Sequence, residues 1–287
     1  MLHQKTMKIL AKSTTKPDNE AQRKNEDALM VHTDLSPYQR IALADGAGGY
    51  GVFAAEWAEF LCQNLPEKPL CTLAEVDAWL GEHCTRFYET YLPLAQGNTF
   101  VSNKFLQEGS AATLVAVWID ETEKLFHFVN IGDSLLFIYD KKSQELFAPK
   151  HIESVLFFEQ NPVLLNWADE KTNDSQFSAG TYQLVDNQVL ILASDATAQW
   201  IWLNYLLRSE TTTAQTHLQT VREKGFKTKE LLENNEKIYN KNLSFELWLD
   251  CLAVSLQQDK FEVLMQRQYT KQCVVRDDYT VILYTVA

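Results

Sequence analysis

Six aspartates stand where an apolar run of strand character begins or ends. They are Asp27 in RKNEDAL, Asp45 in IALADGAGG, Asp133 in NIGDSLLF, Asp195 in LILASDAT, and the neighbours Asp277 and Asp278 in VRDDYTVIL. An aspartate beside Gly, Ser or Asn at a strand terminus ordinarily caps or turns the chain, and any one of these alone calls for nothing more. Six spread over the whole chain have a second reading, because short hard oxygen ligands converging from several strand ends are what Mg²⁺ or Mn²⁺ requires. A divalent ion held in this way acidifies a bound water and so supplies hydroxide near neutral pH. That chemistry needs no protein nucleophile. Consistently, none of the five cysteines is followed by Arg at the sixth position, and there is no HExxH.

The run LADGAGGYGVF at 43–53 reads as a glycine-rich loop between a strand and a helix. Gly48 and Gly49 are expected to permit a tight turn close to a metal, which a Cβ would obstruct. The same run contains GxGxxG at Gly46, Gly48 and Gly51, so a dinucleotide-binding protein is the competing reading. That fold needs a second parallel strand ending in an acid about 20 residues on. Here PEKPLCTLAEVDAWL supplies prolines and then a helix. Asp45, directly ahead of the glycines, would also repel a pyrophosphate.

Strands are expected at DALMVHTD, QRIALAD, TLVAVWID, KLFHFVNIG, LLFIYD, QVLILAS and YTVILYTVA, and helices at 51–64, 72–92, 198–208 and 243–258. Strands come in runs with helices clustered between them, which favours an α+β fold with largely antiparallel sheets over a doubly wound one. The polar stretches at 166–180 and 222–242 read as surface insertions, because strand patterning resumes after each, and the chain reads as one domain over 1–287. The helical pattern around Trp200 and Trp202 reads as core packing. A net charge of −12 opposes nucleic acid and anionic membranes as partners. Five dispersed cysteines, no signal-like N-terminal stretch and no apolar run of membrane-spanning length point to a cytoplasmic protein.

Taken in order, NED at 25–27, DGAGG at 45–49, GSAATLV at 109–115, IGDS at 131–134, LILASDA at 190–196 and RDDYTVI at 276–282 resemble the motif series of the metal-dependent (PPM-type) serine/threonine protein phosphatases, the phosphatase 2C family, in a bacterial-like variant. The resemblance spans almost the full length. It implies a four-layer αββα sandwich, two antiparallel β-sheets flanked by helices, with a dinuclear cleft. It further implies that Asp45 bridges two Mg²⁺ or Mn²⁺ ions, that the Gly46 carbonyl binds one, and that Asp195 and Asp277 bind the other. Asp27, with Glu26 in support, would act through metal-held water. The implied substrate is a phosphoprotein, the target of a serine/threonine kinase.

Several family positions differ. Ala47 replaces the His that serves many members as proton donor, which leaves that proton to water or to an unidentified group. The usual phosphate-gripping Arg position holds Gln22, with Arg23 the nearest candidate substrate-binding residue. Gln199 replaces a carboxylate of a third metal site, leaving Asp133 as either a weakened third-ion ligand or a water-orienting group. Leu135 replaces an Arg. These changes keep open a catalytically weak or inactive phosphatase-like module that binds phosphoproteins. The complete set Asp27, Asp45, Asp195 and Asp277 favours an enzyme, since losing a proton donor costs far less than losing the metals.

Overall fold

The computed structural model describes residues 8–17, 24–33, 37–148, 152 and 154–286. In chain order the elements begin with strands β1 (Lys8–Thr14), β2 (Asp27–His32) and β3 (Gln39–Gly51), then helices α1 (Ala54–Gln63), α2 (Leu73–Ala95) and α3 (Thr99–Glu108). Strands β4 (Ser110–Ala112), β5 (Leu114–Asp120), β6 (Leu125–Ile131), β7 (Leu135–Asp140) and β8 (Glu145–Phe147) follow. After a 3-10 turn at Val155–Glu159 come β9 (Leu165–Asn166), β10 (Phe177–Gln183) and β11 (Gln188–Ala193). Helices α4 (Asp195–Arg208), α5 (Thr212–Lys224), α6 (Lys227–Ile238), α7 (Phe245–Gln257) and α8 (Phe261–Thr270) precede the last strand, β12 (Tyr279–Thr285).

Chain contacts divide these elements into two compact units, each assembled from separate stretches of sequence. One comprises the described parts of 1–23 and 135–161 together with 185–287. It holds a five-stranded antiparallel sheet in the order β1-β12-β11-β7-β8. One face, carrying Phe137, Tyr139, Ile191, Ala193, Val281 and Leu283, packs into a core with the helices α4–α7. α4 is buried almost all round, with Trp200 and Trp202 in the core as expected.

The other unit, 24–134 with 162–184, holds a seven-stranded antiparallel sheet ordered β10-β6-β5-β3-β4-β9, with β2 pairing β3. Its core joins Met30, Ala42, Ala44, Ala116 and Trp118 to an aromatic cluster around Trp57, Phe87 and Phe105. α2 starts sharply because Thr72 and Glu75 cap each other: the Glu75 N–H donates to Thr72 Oγ1 at 3.2 Å and the Thr72 N–H to Glu75 Oε2 at 2.8 Å. The α+β class with antiparallel sheets flanked by helices is as the sequence suggests.

Three expectations need correction. The glycine-rich run is not a loop: β3 continues through it to Gly51, pairing with β4 across a register irregularity between Gly46 and Gly51. The stretch 222–242 is not merely a surface insertion, since α6 within it buries Leu231 and Leu232 in the core. Likewise 166–180 contributes the first residues of β10, which pairs with β6 from Phe177↔Ile131 onward. In both stretches polar residues outnumber the few buried ones, which hides the periodicity.

Candidate functional site

The β2–β3 ladder sets Asp27 directly opposite Asp45. Residues opposed in an antiparallel pair project from the same face with Cβ atoms about 4.5–5.5 Å apart, where two like charges repel. Asp27 is only 9% exposed and Asp45 half-buried. The Asp27 N–H donates to Asn25 Oδ1 at 2.9 Å, a local turn that fixes the strand's entry. On the other side, the Asp45 N–H donates to Thr113 Oγ1 at 3.3 Å while the Thr113 N–H donates to the Asp45 carbonyl at 2.9 Å.

Thr113 stands between β4 and β5, and its hydroxyl also meets the Ser134 hydroxyl at 2.6 Å. The chain Asp45–Thr113–Ser134 thus links the acidic strand to the turn that carries Asp133, itself 7% exposed. That turn depends on Gly132, at φ 85°, where a Cβ would lie 2.6 Å from the Val163 carbonyl oxygen. Asn130 Nδ2 holds it further by donating to the Ser134 carbonyl at 2.8 Å. Thr113 is a positioning residue that sequence reasoning passed over, because AATLV reads simply as strand.

The glycines behave differently from the expectation. The Gly46 N–H donates to the Glu26 carbonyl at 3.0 Å, and a Cβ on Gly46 would lie 2.7 Å from both the Glu26 and Ala54 carbonyl oxygens. Above Gly48 sits the Glu26 carboxylate, 1.9 Å from where a Cβ would be. Gly49 has nothing within 4 Å. Gly46 and Gly48 therefore make room for the NED segment, and Gly49 plays no such part.

In the unit built on β11 and β12, Asp195 and Asp277 come to one end of that strand pair. The last registered partners are Ala193 and Val281, followed by a Ser194–Thr280 clasp: the Ser194 N–H donates to the Thr280 carbonyl at 3.1 Å, and the Thr280 N–H to Ser194 Oγ at 3.0 Å. Asp195 opens α4, where its carboxylate accepts from the Ala196 N–H and sits at the positive end of the helix. Asp277 Oδ1 accepts from the Asp278 N–H at 2.9 Å.

β1 brings a basic residue to the same end. Lys16 Nζ lies 3.8 Å from Asp277 Oδ1 and its backbone N–H donates to Asp278 Oδ1 at 2.7 Å. Nothing in the local sequence around Lys16 marks it. Only the pairing of Thr14 with Tyr279 places it there.

Of the remaining expected residues, Arg23 lies outside the described residues. Gln199 is buried in α4 and donates to Thr228 Oγ1 at 3.1 Å, and Leu135 is core. Among the described residues no three His, Cys, Asp or Glu side chains form a metal-holding group. What the chain does present is hard donors in pairs: Asp27 with Asp45 and the adjoining Gly46 carbonyl, and Asp195 with Asp277. Their type fits Mg²⁺ or Mn²⁺. No helix among the described residues is long and apolar enough to cross a membrane.

No family model matches the chain, and no curated protein sequence matches it. Solved structures do. The serine/threonine phosphatase Stp1 from Staphylococcus aureus aligns over 98% of this chain and 96% of its own, at 16% identity and a TM-score of 0.55. A bacterial serine phosphatase aligns over 98% of both chains at 17% identity and a TM-score of 0.52. The Mycobacterium tuberculosis serine/threonine phosphatase PstP/Ppp also covers 98% of each, at 14% identity and a TM-score of 0.50. At such identities the likeness shows the fold: this chain has the fold of bacterial serine/threonine phosphatases.

Proposed function

We propose that the protein is a cytoplasmic, metal-dependent phosphatase that removes phosphate from phosphoserine and phosphothreonine in proteins, the targets of a serine/threonine kinase. The observation that carries this reading is the cross-strand pair Asp27↔Asp45, two carboxylates set face to face at the mouth of a glycine-cleared strand. A fold costs itself stability by opposing like charges unless a cation is meant to lie between them. Shared fold with proteins named serine/threonine phosphatases supports the substrate class.

In this reading Asp45 with the Gly46 carbonyl, and Asp195 with Asp277, would hold Mg²⁺ or Mn²⁺ ions. Bound there, the ions supply Lewis acidity toward the phosphoryl oxygens and an acidified water for attack. Asp27 orients that water, with Glu26 buttressing the β2 entry from its place over Gly48. Asp133, tied through Ser134 and Thr113 to Asp45, serves a weakened third ion or orients water. Ala47 offers no proton to the leaving group, which leaves that proton to water or to a group outside the motif.

One observation favours the second reading, a phosphoprotein-binding module without turnover: the Lys16 ammonium already neighbours Asp277. Hydrolysis of p-nitrophenyl phosphate and of phosphoserine or phosphothreonine peptides, titrated with Mn²⁺ or Mg²⁺, separates the two. The enzyme shows chelator-sensitive turnover that Asp195→Asn removes. Absence of such turnover at every metal concentration overturns the enzyme reading, and retention of phosphopeptide would then select the binding module.

A further inference from the structure

A cleft of about 940 Å³ opens within the β11–β12 unit, away from the strand end that carries Asp195 and Asp277. Arg208, the last residue of α4, lines it. Its guanidinium carbon stands 5.0 Å from the ring centre of Tyr239 and 5.7 Å from that of Trp248. Nη1 donates to the Asn204 carbonyl at 3.1 Å and to Asn204 Oδ1 at 2.8 Å, whereas the buried Nε has no hydrogen-bond partner. Binding the carbonyls of its own helix end is an ordinary task for a terminal Arg. That task accounts for Nη1 alone.

The acceptors and rings around Arg208 are neutral, and no carboxylate among the described residues pairs with it. Burial pushes its guanidinium down to about 10, so it remains a cation at neutral pH. A partly buried cation without a counter-charge is costly to a fold unless an anion from outside completes it. Other features of the wall agree with an anion. Thr211 and Ser244 both line the cleft, and they are the N-caps of α5 and α7, so two helix N-termini open on it; Lys241 adds a second positive charge against the exposed Glu210.

Volume says what else the ligand carries. The cleft is at the upper end of small-molecule sites, roughly 300–1,000 Å³, far larger than a lone phosphate needs. Among the rings of its lining Tyr239 is the one only half-buried, with Tyr139, Tyr205 and Phe245 buried behind it. We propose that this cleft is a second, noncatalytic site that binds a small phosphomonoester bearing an aromatic ring, with its phosphate on Arg208 and Lys241. A nucleoside monophosphate has that chemistry.

The test is calorimetric titration of the full chain in EDTA, where metal-mediated phosphate binding is absent, with adenosine monophosphate, adenosine and inorganic phosphate as probes. Adenosine monophosphate is expected to bind saturably, and phosphate and adenosine each at least about tenfold more weakly, since the two halves share the affinity. Arg208→Gln should weaken adenosine monophosphate by about tenfold or more, the scale of a charge-assisted hydrogen bond lost. Lys241→Ala, on an exposed residue, should weaken it several-fold, and Asp45→Asn should leave it unchanged. If the wild-type chain shows no saturable binding up to about 10 mM, weaker than any useful site, the proposal fails. It fails equally if binding follows Asp45 instead of Arg208, or if folded Arg208→Gln binds as wild type. Should Arg208→Gln not fold, wild-type affinity in Lys241→Ala overturns it.

Discussion

Asp45→Asn separates the cost of the acidic pair from its use. Asp45 faces Asp27 across the β2–β3 ladder, and Asp27 is only 9% exposed. At a separation of about 5 Å, the Coulomb repulsion of two unit charges is roughly 3 kcal/mol at an effective dielectric of 20 and under 1 kcal/mol in bulk water. With one partner half-buried and open to solvent, about 1–2 kcal/mol is the expected relief. The amide keeps the side chain's volume, and the strand's own hydrogen bonds to Thr113 use the Asp45 backbone, so the substitution leaves them intact. In EDTA the variant should therefore melt above wild type, by about 2–6 °C for a chain of this size.

Manganese should reverse that order. A ligand at 100 times its dissociation constant stabilises by about 2.7 kcal/mol, so wild type should rise past the variant, which responds weakly or not at all. Differential scanning fluorimetry over a Mn²⁺ series, with p-nitrophenyl phosphate turnover on the same samples, reads both halves. A variant less stable than wild type in EDTA would show that the pair is not repulsive. A variant that gains as much from Mn²⁺ as wild type would show that Asp45 is not a ligand.

The glycines give a contrast within one strand. Gly46→Ala puts a Cβ 2.7 Å from two backbone oxygens, which cannot yield as a side chain would, and should cost about 2–3 kcal/mol in urea unfolding; Gly49→Ala meets nothing within 4 Å and should stay within about 0.5 kcal/mol. Equal costs would mean that the β3–β2 approach is looser than described. Glu159 tests a helix start: its Oε1 accepts from the Phe226 N–H at 2.9 Å and the Thr228 N–H at 2.8 Å. Burial pushes this carboxyl up, but the Thr228 and Phe226 donors and the Lys227 charge outweigh it and hold it below its ordinary 4.5. A depressed carboxylate stabilises above its unfolded value and loses that contribution as pH falls through the folded one. Glu159→Gln should thus cost up to about 1 kcal/mol at pH 7, discounted for exposure, with the gap to wild type closing below about pH 4.5. A gap unchanged down to pH 3 would rule out the charge as its source.

The strands that carry the acids were legible because each is a run of β-branched and aromatic residues broken by Gly, Asp or Ser, a pattern that survives without tertiary context. Elements with thin signals were not. In α5, TTAQTHLQTVREK, only Ala214, Leu218 and Val221 are buried, a stripe too narrow to announce a helix among so many polar residues. β8 has three residues and β9 two, lengths that only pairing defines. Lys16 shows the same limit at the site. Its partner lies some 260 residues away, and no local pattern can declare a contact that depends on β1 choosing β12.

Motif order placed Asp27 and Asp45 in one site, but their opposition is a matter of register, which is fixed elsewhere. On β2 and β3 the alternate pairs Ala28↔Ala44 and Met30↔Ala42 point into the core with α1 and α2, and their small and flexible side chains fit beneath Trp57 and Leu61. Asp27↔Asp45 and Leu29↔Leu43 have the opposite parity and so occupy the other face. A one-residue slip of β2 would send Asp27 toward the helix-covered core and Met30 away from it, at the cost of a buried carboxylate and several lost apolar contacts. The register that opposes the two acids is thus enforced by residues with no chemistry of their own. For that reason Met30→Asp, which rewards the slip, should damage metal binding more than any equally destabilising substitution on the α2 side of the same core.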